Sequence, residues 1–322
     1  MAPLPEPSDP TLEAADRALE ARENVQKPRP YLGMSAIGAE CERNLWYGFH
    51  WATAARHSAE TLKRFADGHH GEDVQAERLR LVDGITLLTV DEQTGEQFGF
   101  DDCGGHFSGH MDGAILGLIQ APKTWHVWEH KQVGEKKQSE LVKLKAQFGE
   151  KAALEKWNPV YYAQAVLYMH YSGMDRHYLT CSTPGGRSTI SVRTEPDEAA
   201  AIRLKVKAER IIASPQPPER ISADPAWFQC RWCDHAAQCH TGKLPEFNCR
   251  TCACSTPVDG GAWRCERDGR TLSYPDQVAA CPAHLFIPGF IHGEQTDADP
   301  DGLWIEYQMK NGETWIDTAV PF

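Results

Sequence analysis

Eight of the eleven cysteines in this 322-residue chain lie between Cys230 and Cys281. The cysteines are too few per residue for a disulfide scaffold and too clustered to be ordinary core thiols. The N-terminus is rich in proline and has neither the basic nor the apolar region of a secretory signal, and no apolar run approaches the roughly 18 residues that span a bilayer. We therefore expect a cytoplasmic protein without a membrane partner, in which reduced and clustered thiols bind metal.

Composition excludes several classes of protein. Hydrophobic residues make up 41% of the chain and charged residues 24%, which excludes a disordered acidic tail protein, a collagen-like chain and a coiled coil. A net charge of −12 argues against a protein that coats nucleic acid through its bulk charge. The same charge is compatible with an enzyme that has a local basic groove.

Hydrophobic periodicity predicts a mixed α/β chain. Helices are predicted at 11–26, through most of 31–82, and at 135–156, 160–171 and 197–213. Strands are predicted at 85–90, 96–100, 106–115, 126–132, 178–182, 189–194, 303–309 and 314–319. We divide the chain into a lead-in at 1–28, a main domain at 29–243, a small metal module at 244–290 and a β tail at 291–322.

Two predicted strands carry candidate catalytic residues. Glu129 and Lys131 are two residues apart on one strand, so their side chains share a face, and Asp112 converges on that face if the two strands pair. Carboxylate oxygens bind hard divalent cations such as Mg²⁺, and a neighbouring lysine can orient or deprotonate an attacking water. The set therefore predicts phosphodiester hydrolysis. Each residue alone is more typical of a solvated ion pair or a turn, but an unpaired carboxylate in an apolar-flanked strand is costly.

Two predicted helices add polar residues to this set. Glu72 follows the stretch Gly68-His69-His70-Gly71 and can supply a third carboxylate. Gln164 and Tyr168 are four residues apart on an apolar helix and therefore lie on one face. Such a pair is equally typical of a buried hydrogen bond that has no catalytic role.

In chain order these motifs are Gly68…Glu72, Asp112, Glu129-His130-Lys131 and Gln164…Tyr168. Their order and residue types resemble the PD-(D/E)XK nuclease superfamily, in its RecB-like branch with a Q-x-x-x-Y helix. The Gly-x-x-x-Glu helix is similar to that of lambda-type phage exonucleases. The resemblance implies a restriction-endonuclease-like fold, in which a central mixed sheet is flanked by helices. Many RecB-like members have a histidine in the first motif, where this chain has Glu72 with His69 and His70 nearby.

The resemblance also implies a role for each residue of the candidate site. The ligands of Mg²⁺ or Mn²⁺ would be Asp112, Glu129, Glu72 and the backbone carbonyl of His130. Lys131 would be the residue that activates water.

By the same resemblance, Gln164 and Tyr168 would support the site and contact DNA. The implied activity is that of a metal-dependent DNA exonuclease, which acts on single-stranded or duplex ends in recombination, repair or phage DNA processing. The alternatives are an endonuclease or flap nuclease, and a metal-stapled nucleic-acid-binding adaptor without nuclease activity. A single-strand-binding or recombination protein is a further candidate partner, and an oligomer is compatible with the sequence.

A first set of cysteines has tight metal-ligand spacing, Cys230-x2-Cys233-x5-Cys239, and Cys41 is the natural fourth ligand. One cysteine before the nuclease core and three after it resemble the iron–sulfur nucleases, which include the AddB-type helicase-nucleases and the RecB-like nucleases of CRISPR adaptation. The resemblance implies a [4Fe–4S] cluster that staples the two ends of the domain, and closing so long a loop removes unfolded-chain entropy. Zinc on the same thiols, or with His235 or His240 in place of Cys41, is the open alternative.

A second set of cysteines is typical of structural zinc, because ligand pairs on turns surround a short hairpin. The predicted Zn²⁺ ligands are Cys249, Cys252, Cys265 and Cys281. His284 can replace one of them, and Cys254 competes for another position. A module of about 45 residues buries little core, so a metal staple would stabilise it.

Lysines are concentrated in residues 123–156, which hold eight lysines against five glutamates. They predict a phosphate path beside Lys131, although a solvated helix face explains each lysine equally well. The candidate lysines are Lys136, Lys137, Lys143, Lys145, Lys151 and Lys156.

Overall fold

The structure is a computed structural model, which describes residues 9–25, 27–54 and 56–318. Helices α1 to α8 span Pro10–Glu23, Glu42–Phe49, Ala59–Arg80, Glu135–Phe148, Glu150–Trp157, Pro159–Ser172, Glu198–Ala213 and Tyr274–Ala279. Strands β1 to β14 span Leu32–Gly33, Thr86–Leu88, Gly99–Asp102, Phe107–His110, Gly113–Leu116, His126–Gln132, His177–Ser182, Thr189–Thr194, Ser255–Val258, Ala262–Cys265, Thr271–Leu272, Gly293–Ala298, Trp304–Met309 and Thr314–Thr318. The ends of the predicted helix at 11–26 and the predicted strand at 314–319 lie outside the described residues.

Five strands form the largest sheet, in the order β2-β5-β6-β7-β8. Strands β6 and β7 are parallel, whereas the other neighbours are antiparallel. Parallel strands need a long crossover connection, and α4, α5 and α6 supply it here. Helices α3, α5 and α6 pack against strands of this sheet. The predicted mixed sheet flanked by helices is therefore confirmed.

The predicted strand at 106–115 is wrong as a single strand. Strand β4 pairs with β1 and β3 in a second sheet, whereas β5 belongs to the five-stranded sheet. The break falls at Met111, whose N–H donates to Phe98 O at 3.1 Å, and at Asp112, whose carboxylate accepts the N–H of His130 on β6. Strand β1 also departs from the helix predicted through most of 31–82, because its two residues pair with β4 instead.

Helix α6 begins and ends at strong local signals. Its N-cap is Asn158, whose side-chain oxygen accepts the N–H groups of Val160 and Tyr161, and Pro159 occupies the first helical position. Gly173 ends the helix with φ +70, a left-handed conformation that favours glycine. These signals place α6 within one residue of its predicted bounds at each end.

The largest apolar core joins the first helices to the C-terminal part of the chain. Trp46 packs on Phe290 with ring centroids 5.0 Å apart, and Phe49 packs on Trp263 at 5.4 Å. All four rings are fully or almost fully buried. The segment after residue 244 therefore shares its core with α2.

A buried guanidinium also holds these parts together. Arg250 is 1% exposed and lies 3.9 Å from the ring centroid of Trp51. It donates to the backbone oxygens of Phe49 and Pro30 and to Gln277 Oε1. Burial, which favours the neutral form, lowers its pKa to about 9.

Two small antiparallel sheets complete the described chain. Strands β9, β10 and β11 form one, and β12, β13 and β14 form the other. The second sheet contains the two strands predicted for the β tail and adds β12, which the sequence pattern did not predict. Among the described residues, no helix has both the length and the apolar character needed to cross a lipid bilayer.

Candidate active site and cysteine clusters

Strand pairing brings Asp112 and Glu129 into direct contact. Strand β5 begins one residue after Asp112 and pairs with β6, with Gly113 opposite Trp128. The N–H of His130 donates to Asp112 Oδ2 at 2.8 Å, and the N–H of Asp112 donates to Glu129 Oε1 at 3.3 Å. These reciprocal bonds fix both carboxylates on one face of the sheet, as the sequence predicted.

Lys131 completes the same cluster. Its Nζ lies 2.7 Å from Glu129 Oε2 and 3.8 Å from Asp112 Oδ2, and it sits 5.6 Å from the ring centroid of Tyr161. Burial works against its charged form, but the two carboxylates outweigh burial and raise the pKa of Lys131 above its usual range. Lys131 is therefore protonated in this arrangement.

This cluster contains more acidic groups than basic groups. Glu129 is 1% exposed, and burial together with the charge of Asp112 raises its pKa to about 8. Burial and Asp112 also raise the pKa of Glu72 to about 7. One ammonium group thus faces three carboxyl groups, and a bound cation would favour their ionised forms.

A glycine brings Glu72 to this cluster. Gly71 is buried, and a Cβ at this position would touch the side-chain amide of Gln132 at the end of β6. Helix α3 therefore approaches β6 closely at Gly71, which places the next residue beside Asp112. His69 and His70, the other polar residues of that motif, are exposed on α3.

Gln164 and Tyr168 lie behind the carboxylates and are both buried. Gln164 Nε2 lies 3.4 Å from Tyr168 OH. Burial and the charge of Glu129 raise the pKa of Tyr168 above its usual range. A Cβ at Gly109 would come within 2.8 Å of Tyr168 OH, so this phenol is seated against the backbone of β4. A glycine inside a predicted strand is the sequence signal for such an approach.

His130 contributes its backbone rather than its side chain. Its ring points to the opposite face, where Nδ1 lies 3.0 Å from Thr180 Oγ1 and Nε2 lies 3.1 Å from Ser182 Oγ. Burial lowers its pKa to about 4. The ring therefore bridges β6 and β7 as a neutral group.

The first cysteine set lines a single small cavity of about 20 Å³ that is partly open to solvent. The lining thiols are those of Cys41, Cys230, Cys233 and Cys239. Burial and the other three thiols raise the pKa of Cys230. Asn44 Nδ2 donates to Cys233 Sγ at 3.1 Å. The sequence signal for this contact is a polar residue about one helical turn after Cys41. The fold thus gathers residues that are nearly 200 positions apart in the sequence.

His235 and His240, the alternative ligands, line the same cavity. His235 Nδ1 lies 2.9 Å from Thr53 Oγ1, and its ring meets that of Tyr47 edge-on. Burial lowers the pKa of His235 to about 4 and also lowers that of His240.

The second cysteine set is divided into two groups. Burial, Cys281 and Cys265 together raise the pKa of Cys249 to about 11, so these three thiols are close neighbours. Cys252 instead pairs with Cys254, whose N–H donates to Cys252 Sγ at 3.4 Å. The hydrogen bond from Cys252 and the nearby charge of Arg267 lower the pKa of Cys254.

His284 has aromatic and hydroxyl neighbours. Its ring centroid lies 4.4 Å from that of Phe247 and 4.6 Å from that of Phe286. Nε2 lies 3.2 Å from Thr251 Oγ1, and Nδ1 is buried without a hydrogen-bond partner among the described residues. Nowhere in the described ranges do three or more His, Cys, Asp or Glu side chains already stand in the geometry of a closed metal site.

The lysines of residues 123–156 are divided between solvent and protein contacts. Lys136, Lys137 and Lys143 are exposed. Lys145 donates to Ser191 O at 2.6 Å, and Lys151 forms an ion pair with Glu195. The exposed members alone retain a free surface that could face phosphates.

The sequence matches no protein-family model, and no curated protein is detectably similar to it. Among solved structures, the alkaline exonuclease LHK-Exo from Laribacter hongkongensis is 13% identical, with 61% of this chain and 91% of that chain covered at a TM-score of 0.39. LHK-Exo in complex with dAMP is 14% identical, with 62% of this chain and 91% of that chain covered at a TM-score of 0.40. A phage-related exonuclease from Haemophilus somnus 129PT is 12% identical, with 58% of this chain and 94% of that chain covered at a TM-score of 0.40. Likeness at this level is too distant to assign an activity, so the function rests on the geometry of the site.

Proposed function

We propose that this chain is a metal-dependent deoxyribonuclease of the PD-(D/E)XK type, in the RecB-like branch, that acts as a DNA exonuclease. The observation that carries the proposal is the contact of Asp112, Glu129 and Lys131 in one buried cluster, with Glu72 beside it. An adaptor protein with a degenerate nuclease core would have no need to keep so costly a group of carboxylates.

The donor set fits Mg²⁺ or Mn²⁺, because it consists of carboxylate oxygens. Asp112 and Glu129 would hold the cation, with Glu72 and the backbone carbonyl of His130 as further ligands. When bound, the cation would offset charge on the scissile phosphate. Lys131 carries a proton and would donate hydrogen bonds to an attacking water or a phosphate oxygen.

Gln164 and Tyr168 would position this machinery. Tyr168 packs on Gly109 of β4, the strand that ends shortly before Asp112, and Gln164 contacts the same phenol. The pair therefore supports the turn that carries Asp112. We assign the enzyme to DNA recombination, repair or phage DNA processing in the cytoplasm, with DNA ends as its substrate.

We also propose that Cys41, Cys230, Cys233 and Cys239 hold a [4Fe–4S] cluster. Their common cavity supports this, as does the hydrogen bond that Asn44 gives to Cys233. Arg43 and Arg220 also line the cavity. An ultraviolet-visible spectrum of anaerobically purified protein tests the proposal, and colourless protein with one equivalent of zinc at this set would refute it.

For the second cysteine set we propose structural Zn²⁺. Cys249, Cys265 and Cys281 are its supported ligands, because their thiols are neighbours. Cys252 is the fourth ligand of the proposal, which requires its thiol to turn away from Cys254. Elemental analysis of the wild type and of Cys265→Ser tests this, and an unchanged zinc content in the variant would contradict it.

The nuclease proposal is tested on linear DNA that is labelled at the 5′ or the 3′ end, in Mg²⁺ or Mn²⁺. Wild type should degrade linear DNA from an end, and Asp112→Ala and Lys131→Ala should not. Cleavage of covalently closed circles would favour an endonuclease, and cleavage at a branch would favour a flap nuclease. Degradation by Asp112→Ala at the wild-type rate would refute the assigned site, and an inactive wild type would favour the adaptor.

A further inference from the structure

Three large aromatic side chains are exposed in residues 227–232, which we call the aromatic segment. Trp227, Phe228 and Trp232 are 44%, 63% and 81% exposed. The rings of Trp227 and Phe228 have centroids 5.0 Å apart, and the guanidinium of Arg231 lies 5.5 Å from the centroid of Trp232. Aromatic rings stabilise a protein when they are buried, so three exposed rings in six residues mark a binding surface.

A cleft of about 630 Å³, open to solvent, has a partly basic lining. Its cations are Arg43, Arg220 and Lys310, and Glu219 and Glu294 also line it. The two arginines line the cysteine cavity as well, and that cavity is also lined by cysteines inside and next to the aromatic segment. The basic cleft and the aromatic segment therefore both border the same cavity.

The cations of this cleft are not neutralised by carboxylates. Arg43 Nε donates to Pro218 O at 2.6 Å, and Arg220 lies 3.2 Å from His292 Nε2. Within residues 9–25, 27–54 and 56–318, neither arginine nor Lys310 forms an ion pair. Their positive charge is available to an anionic partner.

We propose that the aromatic segment and the basic cleft together bind single-stranded nucleic acid. Bases stack on Trp227, Phe228 and Trp232, and phosphates contact the guanidinium groups of Arg43 and Arg220. Exposed aromatic rings beside a cationic groove are the combination that binds single strands without sequence preference. A duplex keeps its base faces stacked on each other, so this surface selects single strands over duplex DNA.

A short series of contacts connects this surface to the candidate active site. Gln229, inside the aromatic segment, donates to Glu40 Oε2 at 2.8 Å. Two residues earlier, Gly38 lies so close to α6 that a Cβ would come within 2.6 Å of Val160 Cα. The next residue, Tyr161, covers Lys131. The aromatic segment is thus connected through packed residues to the helix that covers Lys131. That a strand bound there is a substrate rests on the proposed nuclease function, whereas its binding does not.

The test is fluorescence anisotropy with a short labelled oligothymidylate and a matched duplex, in buffer without added divalent cations. We expect the wild type to prefer the single strand and Trp232→Ala to weaken its binding about 5- to 100-fold. Phe228→Ala should act in the same direction, and Trp232→Phe should restore most of the affinity. Trp125→Ala removes an aromatic ring that is 37% exposed outside this surface and should bind like the wild type.

Three results would overturn the inference. They are no preference of the wild type for single strands, wild-type affinity in both alanine variants, and equal loss of affinity in Trp125→Ala. A wild type that binds single strands through these rings but cleaves no DNA refutes the nuclease proposal alone. A wild type that cleaves DNA while both alanine variants bind normally refutes only this inference.

Discussion

Replacing Glu129 by glutamine should stabilise the protein at mildly alkaline pH while it abolishes cleavage. Glu129 is 1% exposed and shares its surroundings with Asp112. Its ionised form therefore loses water and faces a like charge, and the stabilisation by Lys131 and by the N–H of Asp112 does not outweigh these two costs. Glutamine keeps the shape and can still accept a hydrogen bond from Lys131, but it carries no charge to desolvate.

The size of the effect follows from the pKa of Glu129, which is about 8 in the folded protein against an ordinary value of 4.5. The folded state keeps a proton that the unfolded state releases, so the free energy of unfolding falls as pH rises through this interval. At about 1.4 kcal/mol per pH unit, the wild type should lose about 2 kcal/mol between about pH 6.5 and pH 8. His50 and His177, whose pKa values burial lowers to about 3, affect stability only below this window.

Urea denaturation without added divalent cations measures this difference. The stability advantage of Glu129→Gln over the wild type should grow by about 2 kcal/mol between pH 6.5 and pH 8. Glu77→Gln, at an exposed position of α3, is the matched control and should follow the wild type. A stability difference between Glu129→Gln and wild type that does not change with pH would refute the assigned desolvation.

Three further changes test the packing around the site. Gly109→Ala should lower the free energy of unfolding by about 1–3 kcal/mol and reduce cleavage, because its Cβ would meet Met34 Cβ at 2.7 Å and Tyr168 OH at 2.8 Å; denaturation and a nuclease assay check both. Gly68→Ala should raise stability by about 0.5–1 kcal/mol in the same denaturation assay, since its Cβ meets nothing within 4 Å in helix α3. Arg250→Met should lower the free energy of unfolding by about 3 kcal/mol or more, measured as a lower Tm, because two buried acceptors and one partly buried acceptor lose their donor. An unchanged Tm would show that the guanidinium does not join the two parts of the core.

Local patterns in the sequence are sufficient to predict a helix or strand whose bounds are set by residues adjacent to it in the sequence. The alternation around Glu129 and Lys131 predicts β6 at 126–132, the bounds that the structure has. Asn158, Pro159 and Gly173 likewise set the bounds of α6. The apolar run at 106–115 predicts one strand where the structure has two. Periodicity is a local property and does not reveal that the chain changes sheets at Asp112.

Long-range pairing could not be obtained from these patterns. Strand β1 has two residues, and its existence depends on pairing with β4 some seventy positions later. The Cys252–Cys254 contact depends on backbone conformation, whereas spacing alone favours Cys252 as a partner of Cys249. Three aromatic residues near Cys230 look like core residues in a sequence, and only the fold leaves them exposed.

The sequence by itself determined which residues are candidates for the chemistry: two carboxylates, a lysine two positions after one of them, and cysteines at ligand spacing. Side-chain type and short spacing are local properties, and they survive any arrangement of the rest of the chain. Tertiary structure alone decided that Gly71 brings Glu72 beside Asp112, and that Cys41 meets thiols nearly 200 residues away. It also decided the raised pKa of Glu129, because desolvation and charge proximity arise only when distant segments pack together.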